Sequence, residues 1–106
     1  MKFAVRKLRP TEADALKAAA WYDEQQPGLG DAFFDDLDAA IAALAEDPLI
    51  YSVRFADVRC IRLRRFGSYG VFDQIVGAEV WVLAVHHCSC HPRWLRERWR
   101  KMGGTS

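Results

Sequence analysis

Only Pro27, Gly28, Leu29 and Gly30 separate two runs of helical periodicity, and this short break is the strongest constraint on the fold. After the break, Phe34, Leu37, Ile41 and Leu44 recur at spacings of three and four, with Asp35, Asp36 and Asp38 turned away. That pattern is one apolar stripe on a helix, and Pro48 ends it. Before the break, Ala15, Leu16, Ala18, Ala19 and Tyr22 mark the apolar side of a helix that runs to about Gln26. Its small side chains admit another helix at close range. Two amphipathic helices joined by so few residues fold back as an antiparallel hairpin. Thr11 and Asp14 have capping-box spacing and place the start of the first helix just after Pro10.

The remainder of the chain has the period of strands. Lys2 to Leu8 alternates Phe3 and Val5 with Lys2 and Arg6. Val58 to Phe66 sets Ile61 and Leu63 against Cys60, Arg62 and Arg64 on the opposite face. Gly67 to Gly70 is a turn or bulge, and Tyr69–Val76 and Glu79–His87 form a hairpin across Val76, Gly77 and Ala78. Val80 to Val85 is apolar on both faces, as in a strand covered from each side. Pro92 opens a last short helix with Leu95, Trp99 and Met102 on one side and Arg93, Arg96 and Arg100 on another, closed by Gly103 and Gly104. The expected fold is α+β: an N-terminal strand, the helical hairpin, a three- to four-stranded mostly antiparallel sheet, and a short C-terminal helix.

A chain of 106 residues suffices for one domain, which would span 1–106 and bury roughly two-thirds of its unfolded surface. No apolar run reaches the roughly 18 residues of a membrane span, and the first residues lack a signal-peptide core, so a cytoplasmic protein without membrane partners is expected. Three cysteines are an odd number, and Cys88 and Cys90 are too close to staple the fold, so no disulfide framework is expected. Charge is unevenly spread. Residues 1–50 hold five Lys/Arg against ten Asp/Glu, and residues 51–106 hold ten against four. The basic half can attract an anionic partner.

The stretch Trp21-Tyr22-Asp23-Glu24-Gln25-Gln26-Pro27-Gly28-Leu29-Gly30, followed by Phe33 or Phe34, resembles a motif of RelE/ParE-family toxins. Val58, Arg59 and the run Leu63-Arg64-Arg65-Phe66 resemble the family's basic strand, and Val82 to Val85 with His87, Pro92, Trp94 and Arg98 resemble its ending. The resemblance spans nearly the whole chain, in order, and leans to ParE. It implies the toxin of a type II toxin–antitoxin pair, with a cognate antitoxin as partner. ParE-like members block DNA gyrase by binding, and this is the leading expectation. RelE-like members cut messenger RNA on the ribosome, and an endoribonuclease is the alternative. A degenerate, non-toxic chain that only binds its antitoxin is a third reading. Cys90, where the family commonly has Arg, and Gly67-Ser68, where it has Pro, are the departures that favour this third reading. A homodimer and a toxin–antitoxin hetero-oligomer are both open.

The candidate site residues follow. In the nuclease reading, Arg62, Arg64 and His87 would act on the ribose 2′-hydroxyl and the scissile phosphate. In the binding reading, Arg62, Arg64, Arg65, Trp94 and Arg98 would contact the target or the antitoxin. Arginine stays protonated and is a poor general base, so a face of arginines suits binding better than proton transfer. A solvated strand face is the plain alternative. Trp21 and Tyr22 are expected to cover the core between hairpin and sheet. His86, His87, Cys88, Cys90 and His91 are zinc-ligand types, but no matching second pair exists, and strand alternation would point half of them apart. No metal and no cofactor are expected.

Overall fold

Pro10 lies inside the first turn of a helix, not before it. Proline is tolerated there because the amide it lacks would have had no intrahelical partner. The computed structural model describes residues 3–51, 53–55, 57–89 and 92–101. Strand β1 (Ala4–Lys7) leads into α1 (Arg9–Gln25) and α2 (Leu29–Glu46), and Pro48–Ile50 then make a 3-10 turn. Strands β2 (Val53–Phe55), β3 (Val58–Arg62), β4 (Tyr69–Val76) and β5 (Glu79–His87) follow, and α3 (Pro92–Lys101) closes the described chain. The Trp99 side chain, Met102 and the Gly103–Gly104 stop lie outside the described residues, as do Lys2, Cys90 and His91.

The five strands are ordered β1-β5-β4-β3-β2. β2 through β5 form an antiparallel meander, and β1 lies parallel to β5 at the opposite edge, so the sheet is mixed. β1 pairs only with Glu79 to Val82, which leaves the outer edge of β5 beyond Val82 without a strand partner.

That open edge explains the expected feature that fails. Thr11 and Asp14 do not cap α1, whose N-cap is Leu8 without a side-chain bond. The Thr11 hydroxyl donates to the Val82 carbonyl at 2.7 Å, and Asp14 Oδ2 accepts the Val85 amide at 3.2 Å. Thr11 thus adds a second donor to the carbonyl at the end of the β1 ladder, which the Leu8 amide also reaches at 3.4 Å, and Asp14 satisfies an edge amide beyond it.

The hairpin expectation holds, with a tight joint. Asp23 Oδ1 accepts the Gly30 amide at 2.7 Å, supplying the cap that α2 otherwise lacks. A Cβ on Gly30 would lie 2.5 Å from Asp23 Oδ2 and 2.8 Å from the Ala19 carbonyl, so no larger residue fits. The buried stripe of α2 is Gly30, Phe33, Leu37, Ala40 and Leu44, with Phe34 and Ile41 half-buried at its margin. Tyr22 stacks on Phe33 at 5.5 Å and meets Phe66 edge-on at 4.6 Å, as a core residue should. Trp21 does not share this role: it is 52% exposed and meets only the edge of Tyr22, at 5.1 Å, among the described rings.

β5 is covered on both faces. The register of β4 and β5 slips between Phe72 and Asp73, since Phe72 opposes Ala84 whereas Asp73 opposes Val82. Such a bulge turns two neighbouring side chains to one side. Val82 and Val85 accordingly pack under the hairpin, while Leu83 and Ala84 join Phe72, Val58 and Leu95 under α3.

Candidate functional site

The sequence places its site residues on two strands and one helix. The structure divides the arginines and Trp94 between two patches and leaves His87 in neither.

The first patch lies after β3. The strand ends at Arg62, so Arg64 and Arg65 stand in the turn and not on the expected strand face. The cause is Asp36 of α2, read from sequence as turned away. Its Oδ2 accepts the amides of Arg65 at 2.8 Å and Phe66 at 3.0 Å, which draws the turn onto the hairpin and buries Phe66. Arg62 Nη1 donates to the Gly67 carbonyl at 3.2 Å. Arg65 lies 5.5 Å from the Phe66 ring centroid. Arg62 and Arg64 edge an open groove of about 490 Å³, within the range of small-ligand sites. Its wall on α2 is Asp36, Ala39, Ala40 and Ala43, and Tyr51 and Ile61 complete it. Both arginines are exposed.

The second patch is the corner of α1, β5 and α3. Arg98 forms an ion pair and a hydrogen bond with Asp14, and its guanidinium stands 4.3 Å from the Trp94 ring centroid. Trp94 in turn lies against His86, with centroids 4.4 Å apart. Asp14 thus joins three elements: its own helix, the Val85 amide and the Arg98 guanidinium. Lys17, Trp21 and Tyr69 complete a groove of ≈ 400 Å³ beside them. In this patch most of the charge is already spent on holding α3 in place.

His87 belongs to neither arginine group. Its ring meets Tyr69 edge-on at 5.7 Å, and Nδ1 lies 2.6 Å from Ser89 Oγ and accepts the Ser89 amide at 3.3 Å. An accepting Nδ1 puts the proton of the neutral ring on Nε2. His86 Nδ1 is buried and has no hydrogen-bond partner among the described residues. Among those residues no three of His, Cys, Asp and Glu converge as metal ligands would.

Three titrating groups escape the sequence reading. Asp73 is fully buried opposite Arg59, with neither oxygen hydrogen-bonded among the described residues. Burial pushes its carboxyl up to about 7 against the pull of Arg59. Cys60 is pushed up to about 12 by burial and then by Cys88. Burial and then Tyr69 raise the Tyr22 phenol. A lone Asp among valines and phenylalanine in β4 is the one sequence signal that could have marked the first of these.

A sequence profile of the family described as "ParE toxin of type II toxin-antitoxin system, parDE" matches residues 5–91. The chain belongs to the ParE toxin family. It is therefore a toxin of a type II toxin–antitoxin system. The matched span holds the first patch and His87, whereas Trp94 and Arg98 lie beyond it. Solved structures that share the fold include these two. The chromosomal ParDE toxin–antitoxin system from P. aeruginosa is 16% identical, covers 81% of this chain and 96% of that one, and has a TM-score of 0.72. The E. coli toxin RelE, as a double arginine-to-alanine mutant in the free state, is 18% identical, covers 96% and 98%, and has a TM-score of 0.64. No curated protein is a significant match. No helix among the described residues is long and apolar enough to cross a membrane.

Proposed function

We propose that this ParE-family toxin acts by binding, with DNA gyrase as its target and a cognate antitoxin as its restraint. One observation carries the reading: Arg62 and Arg64 edge an alanine-walled groove, and no proton-transfer side chain is bonded to either among the described residues. Guanidinium groups that stay charged are suited to hold an acidic surface, not to shuttle protons. The ParDE system among the similar structures supports an antitoxin as the second partner. An antitoxin segment with one apolar face and acidic flanks suits the same groove. Trp94 and Arg98 serve this reading indirectly, by fixing α3. The direct experiment is plasmid supercoiling by purified gyrase and ATP, with and without the protein. Lost supercoiling or accumulated linear DNA is expected, and unaffected gyrase removes the reading.

The Tyr69–His87 contact at 5.7 Å favours a second reading, a ribosome-dependent endoribonuclease, because it sets two proton-transfer side chains side by side. Cleavage of messenger RNA on translating ribosomes, abolished by His87→Ala, would establish it. A chain inert in both assays that still binds its antitoxin would be a degenerate family member.

A further inference from the structure

β4 carries a glycine, Gly70, between Cys60 of β3 and Cys88 in the turn after β5. A Cβ there would lie 2.7 Å from Cys60 Sγ and 3.0 Å from Cys88 Sγ, so both sulfurs occupy the space a side chain would take. Cys88 also donates to the Gly67 carbonyl at 4.0 Å, the same oxygen that accepts Arg62 Nη1. Both cysteines are free. Glycine at this position is what lets thiols from different segments meet over the middle strand.

We propose that Cys60 and Cys88 form a redox-sensitive site, which hydrogen peroxide converts to a disulfide linking β3 to the turn before α3. Cys60 holds its proton, so the Cys88 sulfur attacks first. It bonds to one peroxide oxygen as the O–O bond breaks, and the other oxygen leaves as water with the Cys88 proton. The Cys60 sulfur then attacks the resulting sulfenic acid. The S–S bond forms, the S–O bond breaks, and hydroxide leaves as a second water with the Cys60 proton. Two thiols lose two electrons and peroxide gains them. The bond ties the strand of Arg62 to the turn before α3, and the Cys88 hydrogen bond to Gly67 is lost. This inference does not depend on the target of the toxin.

The test treats the purified full chain with hydrogen peroxide and follows intact mass, free thiols and the linked peptides. The protein is expected to lose the mass of two hydrogens and to fall from three titratable thiols to one. A single cross-linked peptide pair containing Cys60 and Cys88 is expected, and dithiothreitol reverses the change. Cys90→Ser keeps the link, whereas Cys60→Ala and Cys88→Ala each abolish it. Circular dichroism of each variant confirms that it is folded. Oxygen added at Cys88 without a link overturns the proposal, as does a link through Cys90 or an unreacted protein.

Discussion

Asp14 and Asp73 each stand beside an arginine at the sheet, and they end in opposite circumstances. Asp14 accepts the Val85 amide and pairs with Arg98, so every charge it brings out of water finds a donor. Asp73 is sealed between β3 and β5 with no hydrogen bond among the described residues, and the Arg59 Nε opposite is likewise buried without a partner. The same two residue types thus build a latch in one place and a protonatable group in another. Hydrogen-bond donors within reach, and not proximity to an arginine, decide which. A third arginine group, Arg62 and Arg64, remains at the surface and is the only one of the three proposed to meet a partner.

Removing the latch should have the largest effect. Asp14→Ala strands the Val85 amide and the Arg98 guanidinium, at a cost of about 3 kcal/mol, reduced from the fully buried case because Arg98 is part-exposed. Thermal unfolding followed by circular dichroism should show Tm falling by roughly 10–20 °C. A drop under about 2 °C would mean that the latch contributes nothing.

Asp73 sharpens the contrast through pH. Its folded pKa, about 7, exceeds the unfolded 3.8, so between these values the folded state keeps a proton that the unfolded chain has lost. Stability from this group is therefore fully present below about pH 4, declines as pH rises and is lost above about pH 7. Asp73→Asn should flatten that slope and raise stability at pH 8 by on the order of 2 kcal/mol. Urea unfolding of both proteins at pH 5 and pH 8 checks it. Parallel curves for the two would refute a proton held on Asp73.

Arg98→Lys keeps the charge but loses the planar contact with Trp94, and should cost about 1 kcal/mol. The smallest stability change belongs to Arg62→Glu with Arg64→Glu. As exposed charges in no ion pair among the described residues, they should shift unfolding by no more than about 0.5 kcal/mol. A large loss there would make these arginines structural and erase their distinction from Arg98.

The hairpin was legible because one stripe, Phe34 to Leu44, and one break at Pro27–Gly30 leave a single way to bury the helices. β5 was legible from its apolar run. The misreadings share a cause. Thr11 and Asp14 have capping spacing, but β1 stops at Lys7 opposite Val82; the carbonyl at the end of that ladder claims Thr11, and the open edge of β5 beyond it claims Asp14. Arg64 and Arg65 continue the period of a strand, but Asp36, 28 or more residues away along the chain, ends it at Arg62. Trp21 has the character of a core residue, but Tyr22 takes the inner position. The meeting of Cys60 and Cys88 depends on Gly70 on a third strand. Each of these partners comes from another segment, and local periodicity carries no information about it.

The most direct test of the account is the gyrase supercoiling assay run with the wild-type protein and the Arg62→Glu/Arg64→Glu variant side by side. The wild type is expected to block supercoiling, and the double reversal, folded and equally stable, is expected not to. A variant that inhibits as well as the wild type would contradict it.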